Sequence, residues 1–147
     1  MKLSRHTLSA FIPPEAPTSL LFTVRGEIVP KQRPRFGRGH TYTPSKTVFY
    51  ETLIAINAKA MFARPWPNPC NVHITAFFQV PKGLSAKKKS ALLLGHCMKN
   101  KDIDNIAKSV MDSLNGIAYL DDKQVVSLKI SKHWADVESI DVIINYL

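Results

Sequence analysis

At 147 residues the chain is long enough for one ordinary domain with a genuine core, and its 45% hydrophobic and 21% charged content excludes wholesale disorder. Cys70 and Cys97 are too few for a disulfide framework and lack metal-site spacing, so they read as reduced packing residues. Net charge is +9, no apolar run approaches the roughly 18 residues of a membrane span, and the apolar stretch after Lys2 and Arg5 breaks at Pro13-Pro14, so a signal peptide is not expected and a cytoplasmic location is.

Residues 1–17, with Pro13, Pro14 and Pro17 and no periodicity, read as a flexible N-terminal arm, and residues 18–147 as a single domain. Over 18–29 the alternation Leu20, Phe22, Val24, Gly26, Ile28 predicts a strand with one buried face. The segment from Pro30 to Tyr42 is a basic loop or loose hairpin rich in turn residues. A helix is expected from about Pro44 or Ser45 to Phe62, with Val48, Leu53 and Ile56 facing inward, and the prolines of 64–69 cannot continue it.

Cys70, Val72, Ile74, Ala76, Phe78 and Val80 then mark a clean strand, and Ser85 opens a short helix that carries Lys87, Lys88 and Lys89 and closes at Gly95. Over 103–114 the residues Ile103, Ile106, Ala107, Val110, Met111 and Leu114 form a full core-facing stripe, ended by Asn115-Gly116 in a left-handed cap. Two alternating strands follow, Val126-Leu128-Ile130 and Ile140-Val142-Ile144. This order predicts an α+β (mixed α/β) domain: a mixed sheet of about four to five strands with helices packed on it.

Charge is divided along the chain. Residues 1–101 hold sixteen lysines and arginines against Glu15, Glu27 and Glu51, and no aspartate occurs before position 102. A basic body suits a polyanion, because Lys and Arg replace the counterions condensed on phosphate. Carboxylates gathered beside that polyanion would repel it unless a cation lay between them.

On the 103–114 helix the polar face carries Asp104, Lys108 and Asp112, with Asp102 at the N-terminus. One aspartate there can be an N-cap. The helix climbs roughly 16 Å, and Ile117 to Leu120, if extended, can return about as far. Asp121 and Asp122 would then lie beside Asp102 and Asp104. Converging carboxylates without His or Cys suit a hard ion, Mg2+ or Mn2+; a cap plus an Asp-Asp turn explains the same spacing without one. Lys108 fits either an i,i+4 ion pair with Asp104 or a cation that stabilises charge on a phosphate. Asp112 reads as a surface acid or a partner of Lys108.

The run Asp102-Ile-Asp-Asn-Ile-Ala-Lys-Ser-Val-Met-Asp-Ser-Leu-Asn-Gly116, then Tyr119-Leu-Asp-Asp-Lys-Gln-Val125, resembles the signature of the RusA family of Holliday-junction resolvases. Lys31-Gln-Arg-Pro-Arg-Phe36 and Tyr42-Thr-Pro44 resemble that family's early basic segment, and the likeness spans roughly 22–133. The resemblance implies a homodimeric, Mg2+-dependent endonuclease of recombination and repair that nicks paired strands at four-way junctions, of a kind often encoded by phages or prophages. It places the motif aspartates at Asp102 and Asp104, the acidic pair at Asp121 and Asp122, and the motif lysine at Lys108. Asp102, Asp104, Asp122 and Lys108 are thus the catalytic candidates, with Asp121 a further candidate ligand. One departure stands out: many relatives have Lys-Pro before the first aspartate, where this chain has Asn100-Lys101, which puts the rigidity of the approach in doubt.

Lys31, Arg33, Arg35 and Arg38 are the candidate phosphate contacts, and Phe36 or Tyr42 could stack on an unpaired base. Two rivals remain open: a non-catalytic nucleic-acid-binding module, and a nuclease acting on flaps or single strands.

Overall fold

In the computed structural model, which describes residues 19–147, four strands form one mixed sheet in the order β1-β6-β4-β5. β1 (Ser19–Arg25) and β6 (Ser139–Tyr146) pair antiparallel, β6 pairs antiparallel with β4 (Cys70–Gln79), and β4 pairs parallel with β5 (Val125–Ala135). A two-stranded ribbon, β2 (Arg35–Gly37) and β3 (His40–Tyr42), makes a separate sheet. The three helices are α1 (Ser45–Lys59), α2 (Ala86–Leu94) and α3 (Ile103–Leu114). The α+β domain expected from the element order is therefore the one that forms. The arm expected over 1–17 lies outside the described residues.

The sheet faces follow from the two-residue period of a strand. Cys70, Val72, Ile74, Ala76 and Phe78 of β4 and Ile140, Val142 and Ile144 of β6 are buried, and the register pairs Val72 with Ile144, Ile74 with Val142 and Ala76 with Ile140. These rows meet Ile54 and Ala58 of α1 and Ile106, Val110 and Leu114 of α3 in one core. The parallel β4–β5 pair needs a crossover, and the chain between them supplies it through α2 and α3.

Four local expectations shift. β1 stops at Arg25 because Gly26 turns at φ +116°, with its N–H on Glu138 O at 3.0 Å; Ile28 and Val29 are then buried outside the sheet. On α1 the buried residues are Thr47, Tyr50, Ile54 and Ala58, while Val48 and Ile56, expected inside, are exposed. Apolar residues lie all round this helix, so its pattern does not select a face; packing against β1 and α3 does. On α3 the buried stripe begins at Ile106, and Ile103 is 39% exposed. On β5 the alternation is real, but Val126 and Leu128 are exposed because β5 is an edge strand that α3 only partly covers.

The turn after α3 is as expected in one respect, since Gly116 takes φ +73°. The extended return from Ile117 to Leu120 does not form. Ile117 and Ala118 both donate to Leu114 O at 3.0 Å, and Gly116 N donates to Tyr119 O at 2.8 Å, which closes the segment into a turn. A short 3-10 turn, Asp122–Gln124, leads directly into β5.

Candidate active site

Asp102 occupies the N-cap of α3, where its backbone carbonyl accepts from Ile106 N at 3.1 Å. Its carboxylate caps nothing; the side chain meets only Asn105 Nδ2, at 3.3 Å. Asp104 is exposed in the first turn, and both carboxylates lie in the favourable field of the helix N-terminus. Lys108 is exposed one turn further on and makes no ion pair among the described residues, with Asp104 or with Asp112. Neither the capping role nor the i,i+4 pair is realised: among the described residues Asp104 and Lys108 have no side-chain partner and Asp102 has only Asn105.

The approach to this end is held by two lysines. The Lys101 ammonium donates to Ile28 O, stands 3.5 Å from Glu27 and 3.9 Å from Glu138, and lies 5.9 Å from the centre of the Phe78 ring. Lys132 Nζ, from β5, donates to Lys99 O at 2.9 Å and Lys101 O at 3.2 Å. On the other side of α3, Ser109 Oγ donates to Val29 O at 2.9 Å and Lys31 N to Asn105 O at 2.8 Å. Residues 28–31 are thus laced to the helix that carries the aspartates.

The acidic pair divides in two. Asp121 caps the 3-10 turn: its Oδ1 accepts from Lys123 N at 2.9 Å, and that hydrogen bond holds its carboxyl below the usual aspartate range against slight desolvation. Gln124 completes the cap by accepting from Leu120 N at 2.8 Å and Asp121 N at 3.0 Å. Its amide nitrogen meanwhile donates to Trp66 O at 2.7 Å and Asn68 O at 2.9 Å, which pins the turn to the 64–69 loop. The Asp122 side chain is exposed and has no such duty.

Tyr119, fully buried, donates its hydroxyl to Met111 O at 2.8 Å. Burial pushes this phenol far above its usual range, and Cys70 and then Asp122, Asp112 and Asp121 add to the shift. The Tyr119 hydroxyl thereby ties the segment before the acidic pair to the C-terminal half of α3. Among the described residues no three His, Cys, Asp or Glu side chains gather closely enough to hold a metal ion.

Of the four candidate phosphate contacts, Lys31 is turned inward. Its ammonium bridges Glu51 at 2.6 Å and Asp112 at 3.0 Å, tying α1 to α3. Burial pulls its pKa down, but hydrogen bonds to Glu51 and Asp112 outweigh that and leave it raised. Asp112 is accordingly a partner of Lys31 rather than of Lys108. Arg33, Arg35 and Arg38 remain exposed on and before the ribbon, whose loop residues Arg38 and Gly39 take φ +50° and +81°.

Residues 25–145 match the family model described as Endodeoxyribonuclease RusA. The chain belongs to the RusA family. It is also 33% identical over 135 residues to the "Uncharacterized protein YqaN" of Bacillus subtilis (strain 168), a match that covers 84% of this chain and 94% of that protein.

Within the RusA signature the structure separates two kinds of residue. Asp102, Asp104, Lys108 and Asp122 are exposed, whereas Gln124 and Tyr119 build the scaffold of the turn that carries Asp122. The sequence motif contains Gln124 and Tyr119 but assigns neither a role, and Lys132 lies outside it. A polar residue three positions after an aspartate is the sign of a capping box, so Gln124 was within reach. Nothing local marks Lys132, whose carbonyl partners lie some thirty residues away in the chain.

Proposed function

We propose that this RusA-family chain is a divalent-metal-dependent endonuclease that resolves four-way DNA junctions by paired nicks, working as a homodimer. The observation that carries the reading is the Asp102 carboxylate, placed at a helix N-terminus, left out of the cap and beside Asp104 and Lys108. A cap would explain an aspartate at that position only if it capped.

The donors fit the ion that such chemistry needs. Both are carboxylate oxygens, and Mg2+ is commonly held by one or two carboxylates together with water and substrate phosphate. Bound there, the ion would supply Lewis acidity and offset charge on the scissile phosphate. The residues of the chain do the rest: Asp102 and Asp104 anchor, Lys108 stabilises negative charge as the phosphate is attacked, and Arg33, Arg35 and Arg38 hold the flanking backbone.

Asp122 enters from a second copy in this reading. Lys132 fastens the start of α3 to the middle of β5, whereas Asp122 stands just before the beginning of β5, roughly 20 Å back along the strand. β5 is an edge strand with Val126 and Leu128 exposed. Two copies related by a two-fold axis at that edge, perpendicular to β5, would run their edge strands antiparallel and set the strand start of one towards the α3 start of the other, and would also place two identical sites on symmetric strands.

The test is nicking of a synthetic four-way junction in Mg2+ or Mn2+. Paired nicks that disappear in Asp104→Asn support the reading. Junction binding without cleavage in either metal would leave only a binding module, and faster cutting of flaps or single strands at equal salt would make the chain a different nuclease.

A further inference from the structure

Phe36 is the most exposed aromatic ring on the ribbon, at 77%, and its position there is specific. In the β2–β3 register Arg35 pairs with Tyr42, Phe36 with Thr41 and Gly37 with His40. Cross-strand partners share a face of a ribbon and successive residues alternate. Phe36 therefore shares its face with Thr41 alone, while Tyr42 lies on the other. Tyr42 is occupied: a Cβ at position 37 would stand 3.2 Å from its Cε1, so the absence of a side chain at Gly37 is what lets the ring lie across the strand, 6.2 Å from His40. Of these two rings Phe36 is the more exposed, at 77% against 44% for Tyr42, and it has no aromatic neighbour on its face of the ribbon.

The surroundings identify the partner. Residues 28–50 contain no acid, and the flanking Glu27 and Glu51 are each engaged, by Lys46 at 2.8 Å and by Lys31 at 2.6 Å. Arg33, Arg35 and Arg38 consequently have no acidic partner among the described residues. Arg38 also holds φ +50° in a two-residue hairpin loop where Asn or Gly is the relaxed choice. A long cation kept at a strained tip points to a contact made there rather than to folding. An apolar ring standing among unpaired arginines fits a base flanked by phosphates, not an apolar protein surface.

We propose that Phe36 is a wedge that enters the branch point of the DNA and stacks on a base it unpairs, with Arg35 and Arg38 on the adjacent phosphates. The proposal rests on the junction-nuclease reading and deepens it, because it supplies the preference for a branch over a duplex. Stacking is already interrupted where strands exchange, so opening the terminal pair costs least there. On an intact duplex the ring would have to break a continuous stack.

A four-way junction carrying 2-aminopurine at the branch tests this with the full chain in Ca2+, and cleavage is read separately in Mg2+. Wild-type protein should raise the 2-aminopurine fluorescence on binding. Phe36→Ala should lose that rise and bind the junction roughly five- to hundredfold more weakly with duplex affinity little changed, while Phe36→Trp should keep both properties. Thermal melting of each variant checks that an exposed ring was removed without unfolding the domain. Wild-type protein that nicks the junction yet leaves the fluorescence flat would overturn the wedge and leave the nuclease standing. So would Phe36→Ala weakening junction and duplex equally. Failure of the wild-type chain to nick any junction would instead remove the reading beneath it.

Discussion

Lys101 donates its ammonium to the backbone carbonyl of Ile28, across seventy-three positions of sequence, at the point where the family resemblance implies a proline. A proline stiffens a segment by restricting its unfolded conformations. Lys101 achieves a comparable result through tertiary contacts, with Glu27 and Glu138 on its charge and Lys132 holding the carbonyl behind it. Lys101→Met keeps the stem over Phe78 but leaves Ile28 O without its donor and Glu138, which is one-fifth exposed, without its cation. The expected loss is about 1–3 kcal/mol by urea unfolding, accompanied by slower junction cleavage because the aspartates it positions become mobile. Unchanged unfolding would show the tether to be dispensable.

Lys31 and the ribbon arginines should separate in a salt titration. Arg35→Ala and Arg38→Asn each remove one phosphate contact, so the slope of log affinity against log salt should fall by about one. Arg38→Asn also relaxes the loop, so its stability should hold or rise. Lys31→Met should leave the slope unchanged and lower stability by about 1 kcal/mol, the small figure reflecting water's screening of the exposed Asp112. The sign with pH follows from the raised Lys31 pKa: its contribution is present below the ordinary lysine value of 10.5 and is lost as pH rises through the higher folded value. The gap between wild type and Lys31→Met should therefore be flat near neutrality and close only above pH 10.5.

Asp121 titrates in the opposite sense. Its folded pKa is below the ordinary 3.8, so its cap stabilises above that value and the contribution is lost as pH falls through the folded one. Asp121→Asn, itself a good cap, should behave like wild type in neutral melting, whereas Asp121→Ala should melt lower, with the difference shrinking as the pH drops below 3.8. If cleavage by Asp121→Asn falls as far as that of Asp122→Asn, the carboxylate acts in the chemistry and not merely as a cap.

Asp104→Asn and Asp122→Asn should each reduce cleavage by about a hundredfold or more while junction binding persists or tightens, because repulsion toward phosphate declines. Mixing the two variants distinguishes shared from separate sites. If Asp122 serves the neighbouring copy, a mixed dimer carries one intact site, and random mixing should restore about a quarter of wild-type sites, seen as single nicks. No recovery on mixing would place Asp104 and Asp122 in the same chain's site.

The sequence by itself determined the strands β4 and β6, helix α3 and the identities of the exposed acids, because period-two and period-3.6 patterns of apolar residues are local and strong there. The RusA signature was legible for the same reason: Asp102, Asp104 and Lys108 lie on one turn and a half of a single helix. Tertiary structure decided what local pattern leaves open. Which face of α1 is buried depended on its neighbours, since its apolar residues surround it. Lys31 belonged to Glu51 and Asp112 instead of phosphate because α1 and α3 pack side by side. The largest change concerned Asp121 and Asp122. A chain of four residues is long enough to return to the start of α3, but length sets only a limit, and hydrogen bonds donated by the N–H groups of Gly116, Ile117 and Ala118 and by the Tyr119 hydroxyl commit those residues to a turn. One chain thus holds its two acidic pairs apart, for a reason that appears only when the backbone donors and acceptors of the fold are paired.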